Sequence, residues 1–246
     1  MLNQTITCRG PKVGELCIGV VVPRTGRLAT LGDPLSFVVD LLGPKLHQII
    51  NGRRRWEVRL ACRDSCSEPG AAREAAAELI NQEQAQVVVT MAGTRVLPAV
   101  ADICETLDTP CVYTTFPWQA YFFGRGADPE HPFRSTYHFA WGLDDMAAIF
   151  AEMWEHVSAN LTVGCLWNDD RQGQFLRHPR YGFLPAAASR GHTMIDPGGY
   201  HEPANGFGQH ITQFLNAGVD VVAYAGTPED WPCSAGKLPG ERCTQN

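Results

Sequence analysis

The sequence predicts an α/β protein built from two doubly wound parallel-sheet lobes, the second of them incomplete. Three observations lead to the doubly wound parallel sheet. Short apolar runs recur along the chain, several with β-branched residues at consecutive positions, as in strands buried on both faces. Stretches of helical length lie between them, and "AAREAAAELI" is the richest in strong helix formers. Strand alternating with helix is the pattern of a parallel sheet.

Taken in order, strands are predicted at 17–22 (CIGVVV), 57–61 (EVRLA), 87–90 (VVVT), 111–113 (CVY), 135–140 (STYHFA), 162–167 (TVGCLW), 192–195 (HTMI) and 219–224 (VDVVAY). Helices are predicted at 34–51, 69–83, 95–106, 144–157, 175–189 and 207–216. Asp144 is placed to cap the helix that follows it. Arg53-Arg54-Arg55 reads as a solvated turn before a strand. The stretch 116–134 has no clean period and is rich in Pro, Gly and aromatics, which marks a break, and the inter-lobe region is expected just after it, near residues 141–144. The expected division is 1–15 as an N-terminal segment, 16–141 as the first lobe, 142–230 as a partial second lobe and 231–246 as an irregular tail.

Composition narrows the function classes. A net charge of −6 leaves no basic footprint for nucleic acid or anionic lipid. No apolar run reaches transmembrane length, and "MLNQTITCRGPKVGE" lacks the apolar region of a signal peptide. Nine cysteines suggest an oxidising compartment, with buried free thiols as the plainer reading for several of them. Their spacings make no pair of CxxC knuckles, so no zinc site is expected. Enzyme signatures are missing too. There is no GxSxG elbow, no second His at metalloprotease spacing after His201-Glu202, and no phosphate-binding glycine loop. Asp169-Asp170 reads as a polar loop or a helix cap, and His192, His201 and His210 as scattered residues rather than a metal set. No enzyme activity and no cofactor are expected.

Ligands of doubly wound sheets sit at the carboxyl ends of strands, on loops leading into helices. That singles out Thr90–Thr94. A helix start offers unbonded N–H groups and a partial positive charge. Gly93 permits close approach to the backbone, and Thr94 either donates a hydroxyl to a ligand or caps the helix. Thr114-Thr115 ends the neighbouring strand, so two hydroxyl loops at adjacent strand ends make one anion cradle. Trp118 either lines the cleft or packs beneath the linker.

Four stretches, "IGVVVPRTGRLATLGDP", "RDSCSEPGAAREAAAELI", "VVVTMAGTRVLPAVAD" and "TPCVYTTFPWQ", resemble in order and spacing the type I periplasmic binding proteins of the branched-chain amino acid transport class. The resemblance runs from about 16 to 230. It implies an extracytoplasmic receptor that captures an amino acid, amide or aromatic acid for an ABC transporter membrane permease. It also implies ligand contacts at Gly93, Thr94, Thr114 and Thr115. Leu31 falls at a lid position, and Gln172 and Thr227 fall on second-lobe loops. Cys66 matches a family disulfide position whose partner position reads about Ala92 here; Cys104 with Cys111 is the alternative pair. The family's second lobe continues beyond the pattern seen here, so the expectation is a truncated member with weak ligand retention and exposed apolar surface. A cytosolic ligand-sensing regulator of the same fold, of the amide-sensor type, is the alternative.

Overall fold

The computed structural model describes residues 12–52, 54–91, 93–226 and 230–231. They form two compact units. One takes the described residues up to Phe116 together with Ala127–Ala140; the other takes Pro117–Gly126 and the described residues from Trp141 onward. The chain thus changes unit after Phe116, after Gly126 and after Ala140.

The first unit contains β1 (Lys12–Val22), α1 (Ala29–Leu42), β2 (Gln48–Asn51), β3 (Arg54–Asp64), α2 (Pro69–Asn81), β4 (Val87–Met91), α3 (Leu97–Thr106), β5 (Cys111–Thr114) and β6 (Thr136–His138). The strand order is β2-β3-β1-β4-β5-β6. All neighbours are parallel except β2 and β3. The chain winds outward from β1 to β3, then returns to place β4 on the other side of β1. Such a reversal opens a crevice at the strands' carboxyl ends. Val20, Val21, Val22 and Val88 are buried in the sheet, and α2 and α3 bury Ala72, Ala76, Leu79, Leu97, Val100 and Ala101. Each fully buried Val or Leu contributes roughly 1.5–3 kcal/mol.

The second unit contains α4 (Trp118–Gly124), α5 (Leu143–Glu155), β7 (Thr162–Trp167), α6 (Arg171–Leu176), α7 (Phe183–Ser189), β8 (Thr193–Ile195), α8 (Gly208–Ala217) and β9 (Val221–Ala225). Its parallel sheet has the order β8-β7-β9. Residues 163–167 of β7 are all buried, the mark of a strand covered on both faces. One face packs Val163, Cys165 and Trp167 with Leu143, Ala147, Ala151, Trp154, Phe183 and Ala187 of α5 and α7. The other packs Leu166 with Tyr200, Phe207 and Phe214. Gly164 lies between them because a Cβ there would meet the Phe214 ring at 2.9 Å.

Several boundaries differ from the sequence reading. The helix expected at 34–51 is α1, which starts earlier and ends at Leu42, with Pro34 inside it. Its start is held by the turn before it, where the Leu28 N–H donates to Ser67 Oγ at 2.9 Å. Gly43-Pro44 follows the last helical residue, and a proline cannot supply the next helical hydrogen bond. Residues 48–51 pair instead with β3, Asn51 opposite Arg54, through a tight turn in which Gly52 takes φ +59°. Arg54 and Arg55 therefore belong to a strand. The helix expected at 175–189 is split into α6 and α7, since Pro179 interrupts the ladder. Helix α4 was not expected, and it groups with the second unit although the sequence reading assigned 16–141 to the first lobe. Asp144 does not cap α5. The cap residue is Gly142, whose N–H donates to Asp145 Oδ2 at 2.9 Å.

Candidate functional site

In the first unit the ends of β4 and β5 are fixed by their pairing, with Thr90 opposite Tyr113 and Met91 opposite Thr114. The loops that follow therefore begin side by side. Thr90 itself is buried, and its hydroxyl donates to Val21 O at 3.2 Å, so it belongs to the sheet. The Gly93 carbonyl accepts from the N–H groups of Val96 and Leu97, which starts the turn into α3. A Cβ at Gly93 would meet only the Leu28 side chain, at 3.6 Å. The internal packing of the unit thus does not demand glycine there.

Thr94 is buried at 8% exposure. The cap residue of α3 is Val96, and no side chain caps that helix. Capping is therefore not the role of Thr94, and among the described residues nothing bonds its hydroxyl. Thr114 closes β5 half-buried. Thr115 is exposed, has φ +72°, and donates its hydroxyl to Thr114 O. Positive φ in a β-branched residue costs on the order of 1–3 kcal/mol and clusters at functional loops. Leu31 is 54% exposed, in the first turns of α1.

The loop after β1 is clamped from β3. Asp64 accepts from the Arg24 N–H (2.8 Å), the Thr25 N–H (3.3 Å), the Thr25 hydroxyl (2.7 Å) and the Cys66 N–H (2.8 Å). Partial burial works to raise the Asp64 pKa, but these four donors outweigh it and hold the carboxyl below its ordinary value.

The second unit presents a different strand end. Asn168 follows β7 and is buried. Its side chain accepts from the Gly173 N–H at 3.1 Å and donates to Glu202 at 3.0 Å. Asp170 is the cap of α6, accepting from the N–H groups of Gln172 and Gly173. Gly173 is obligatory, since a Cβ would lie 1.7 Å from Asn168 O. Arg177 donates to Asp196 (2.7 Å), Asn168 O (2.9 Å) and Trp167 O (3.3 Å). Asp169 pairs with the exposed His201. Tyr200 is buried, and burial followed by the neighbouring Tyr224 hydroxyl keeps its phenol protonated. Gln172 is exposed at the start of α6. Trp118 opens α4, 36% exposed, with its ring against Phe122 and Phe123. Thr227 lies outside the described residues.

Sequence reasoning missed Asn168, Arg177 and Asp230. Asp230 is buried, and one of its oxygens accepts from the Ala204 N–H at 2.9 Å. His192 is buried: it accepts from the Leu161 N–H at 3.1 Å and its other nitrogen faces Ala151 O at 3.3 Å. The Cys104–Cys111 disulfide is not formed. Both are free thiols, as are Cys17, Cys62, Cys66 and Cys165. Among the described residues no group of three His, Cys, Asp or Glu side chains is arranged to hold a metal. No helix among them is long and apolar enough to cross a membrane.

The family model for the periplasmic binding protein matches residues 15–232. The chain belongs to the periplasmic binding protein family. Solved structures agree on the fold of this family. A solute-binding protein of an ABC transporter from Rhodopseudomonas palustris HaA2, in complex with p-hydroxybenzoic acid, has a TM-score of 0.68 at 17% identity, covering 89% of this chain and 55% of that one. A solute-binding protein from R. palustris in complex with benzoate gives 0.64 at 17% identity, over 87% and 56%. A leucine binding protein from Thermotoga maritima gives 0.66 at 17% identity, over 84% and 55%. The chain thus spans about half the length of these structures. No curated protein matches it.

Proposed function

We propose that the protein binds a small solute bearing a carboxylate, an amino acid or an aromatic acid, and delivers it to the membrane permease of an ABC importer outside the cytoplasm. One observation carries this. Two hydroxyl loops start side by side at the ends of β4 and β5, with the Thr94 hydroxyl unused by the helix and Thr115 held at φ +72°. A carboxylate there meets the Thr94 hydroxyl just ahead of α3, whose dipole favours negative charge. Gly93, Thr94, Thr114 and Thr115 are the proposed contacts, with Leu31 at the rim; Gln172, Trp118 and Thr227 are the second-unit candidates. The benzoate, p-hydroxybenzoate and leucine relatives support the solute class. The role is binding and release, with no covalent chemistry.

A titration of the full chain with amino acids, amides and aromatic acids, read by thermal shift and calorimetry, tests this. A true ligand at a hundred times its Kd stabilises by about 2.7 kcal/mol, a rise of several degrees. A cooperative melt that no carboxylate moves overturns the reading.

The six free described cysteines favour a second reading, a ligand-sensing regulator of the same fold in a reducing compartment. Cell fractionation separates the two: recovery with the cytosolic fraction supports the regulator.

A further inference from the structure

The second unit also reverses its winding. The chain runs from β7 to β8 on one side, then returns to place β9 on the other side of β7, with Trp167 opposite Ala225. Such a reversal opens a crevice at the carboxyl ends of β7 and β9. Two phenols meet there. Tyr200 is buried, and its hydroxyl donates to the Tyr224 hydroxyl at 3.2 Å, the two rings nearly parallel with centroids 6.4 Å apart. A Cβ at Gly226 would collide with both hydroxyl oxygens, so glycine at that position lets the phenols reach the end of β9. The Tyr224 ring meets the Trp231 ring at 5.0 Å, which seats the adjoining Asp230 against the same cluster.

Asp230 is only 5% exposed. Its Oδ1 accepts from the Ala204 N–H at 2.9 Å. Its Oδ2 is sealed from solvent and takes no donor among the described residues. A buried carboxylate oxygen without a donor is costly, and folded proteins pair such atoms as a rule. The nearby cations serve elsewhere. Arg177 donates to Asp196 and to two backbone carbonyls, and His201 pairs with Asp169. The unmet group of the cluster is therefore a negatively charged acceptor, flanked by phenol oxygens and aromatic faces. An alkylammonium matches it on three counts: several N–H donors, a full positive charge for the carboxylate, and attraction to aromatic rings.

We infer that the second unit binds a primary ammonium group at this strand end, through Asp230 Oδ2, with the Tyr200 and Tyr224 oxygens as further acceptors and Trp231 as an aromatic wall. Trp231 is 46% exposed, so the ligand enters beside it. The subsite asks for no carboxylate on the ligand. It stands apart from the loops after β4 and β5.

Thermal shift and calorimetry of the full chain with methylammonium chloride, against sodium chloride at equal concentration, test the inference. Methylammonium is expected to raise the melting temperature saturably, beyond any effect of sodium. Tetramethylammonium carries the charge but no N–H donor, and should bind at least about 10-fold more weakly. Asp230→Asn keeps an acceptor for the Ala204 N–H and should lower methylammonium affinity about 10- to 100-fold. A melt moved no further than by sodium, equal binding of the tetramethyl ion, or an unchanged affinity in Asp230→Asn overturns the inference. Where Asp230→Asn does not fold, the comparison of the three cations on the unaltered chain decides alone. A carboxylate that moves the melt while no amine does would sink this subsite and spare the reading of the β4 and β5 loops.

Discussion

The two units end their central strands in opposite ways. After β4 and β5 the first unit carries Gly93, Thr94 and Thr115, and the Thr94 hydroxyl is left out of the internal bonding. After β7 the second unit carries Asn168, Asp169 and Asp170, tied to Gly173, Arg177, His201 and Glu202. Polar groups in the second loop satisfy one another; in the first, Thr115 bonds Thr114 O and the Thr94 hydroxyl takes no partner among the described residues. A loop that serves a ligand need not look charged, and a charged loop is often serving its own helix.

The same substitution in both loops breaks or sharpens this contrast. Gly173→Ala should be the most damaging change, costing about 3 kcal/mol or more, because its Cβ collides with Asn168 O. Gly93→Ala, where the nearest atom is at 3.6 Å, should shift stability by less than about 0.5 kcal/mol and weaken solute binding instead. Denaturant midpoints alongside calorimetry would show it; equal stability losses in the two variants would erase the distinction. Arg177→Met should cost about 2–3 kcal/mol, since it leaves the Asn168 carbonyl without its donor, takes one donor from the Trp167 carbonyl and removes the cation beside Asp196. An unchanged urea midpoint would refute that.

How much of this was legible in the sequence depends on the range of the interaction. Strand 162–167 is read to the residue because a run such as TVGCLW is covered on both faces and needs no partner to declare itself. Strand β2 was hidden, since LHQIIN continues a helical pattern, although Asn51-Gly52 carries a hairpin signal that should have outweighed it. Helix α4 was lost among aromatics with no period. Thr94 and Thr115 were singled out from their place at strand ends, a local property. Asn168 and Arg177 were missed because their roles exist only once β7, α6 and β8 have met.

Two smaller effects complete the comparison. Thr94→Val keeps shape and, with no internal hydrogen bond to lose, should leave the melt nearly unchanged while lowering affinity for a carboxylate about 5- to 10-fold, or roughly 1 kcal/mol. A melt that falls by several degrees would mean the hydroxyl serves the fold. The pH limb concerns Asp64. Its folded pKa is depressed, so its contribution is present above the unfolded value of 3.8 and is lost as pH falls through the folded one. Asp64→Asn should flatten the acid side of the stability profile and leave a lower plateau at neutral pH. An acid limb of unchanged steepness would show that the clamp on Arg24 and Thr25 contributes nothing measurable.

The return of residues 127–140 to the first unit has a practical consequence for anyone who divides the gene. A fragment stopped at Phe116 would lack β6, and with it the carbonyl of Ser135 that receives the Cys111 N–H. The strand bearing Thr114 would then be a raw margin, open to pairing with a second molecule. The part worth expressing alone is stitched from two pieces, with the excursion 117–126 replaced by a short flexible bridge.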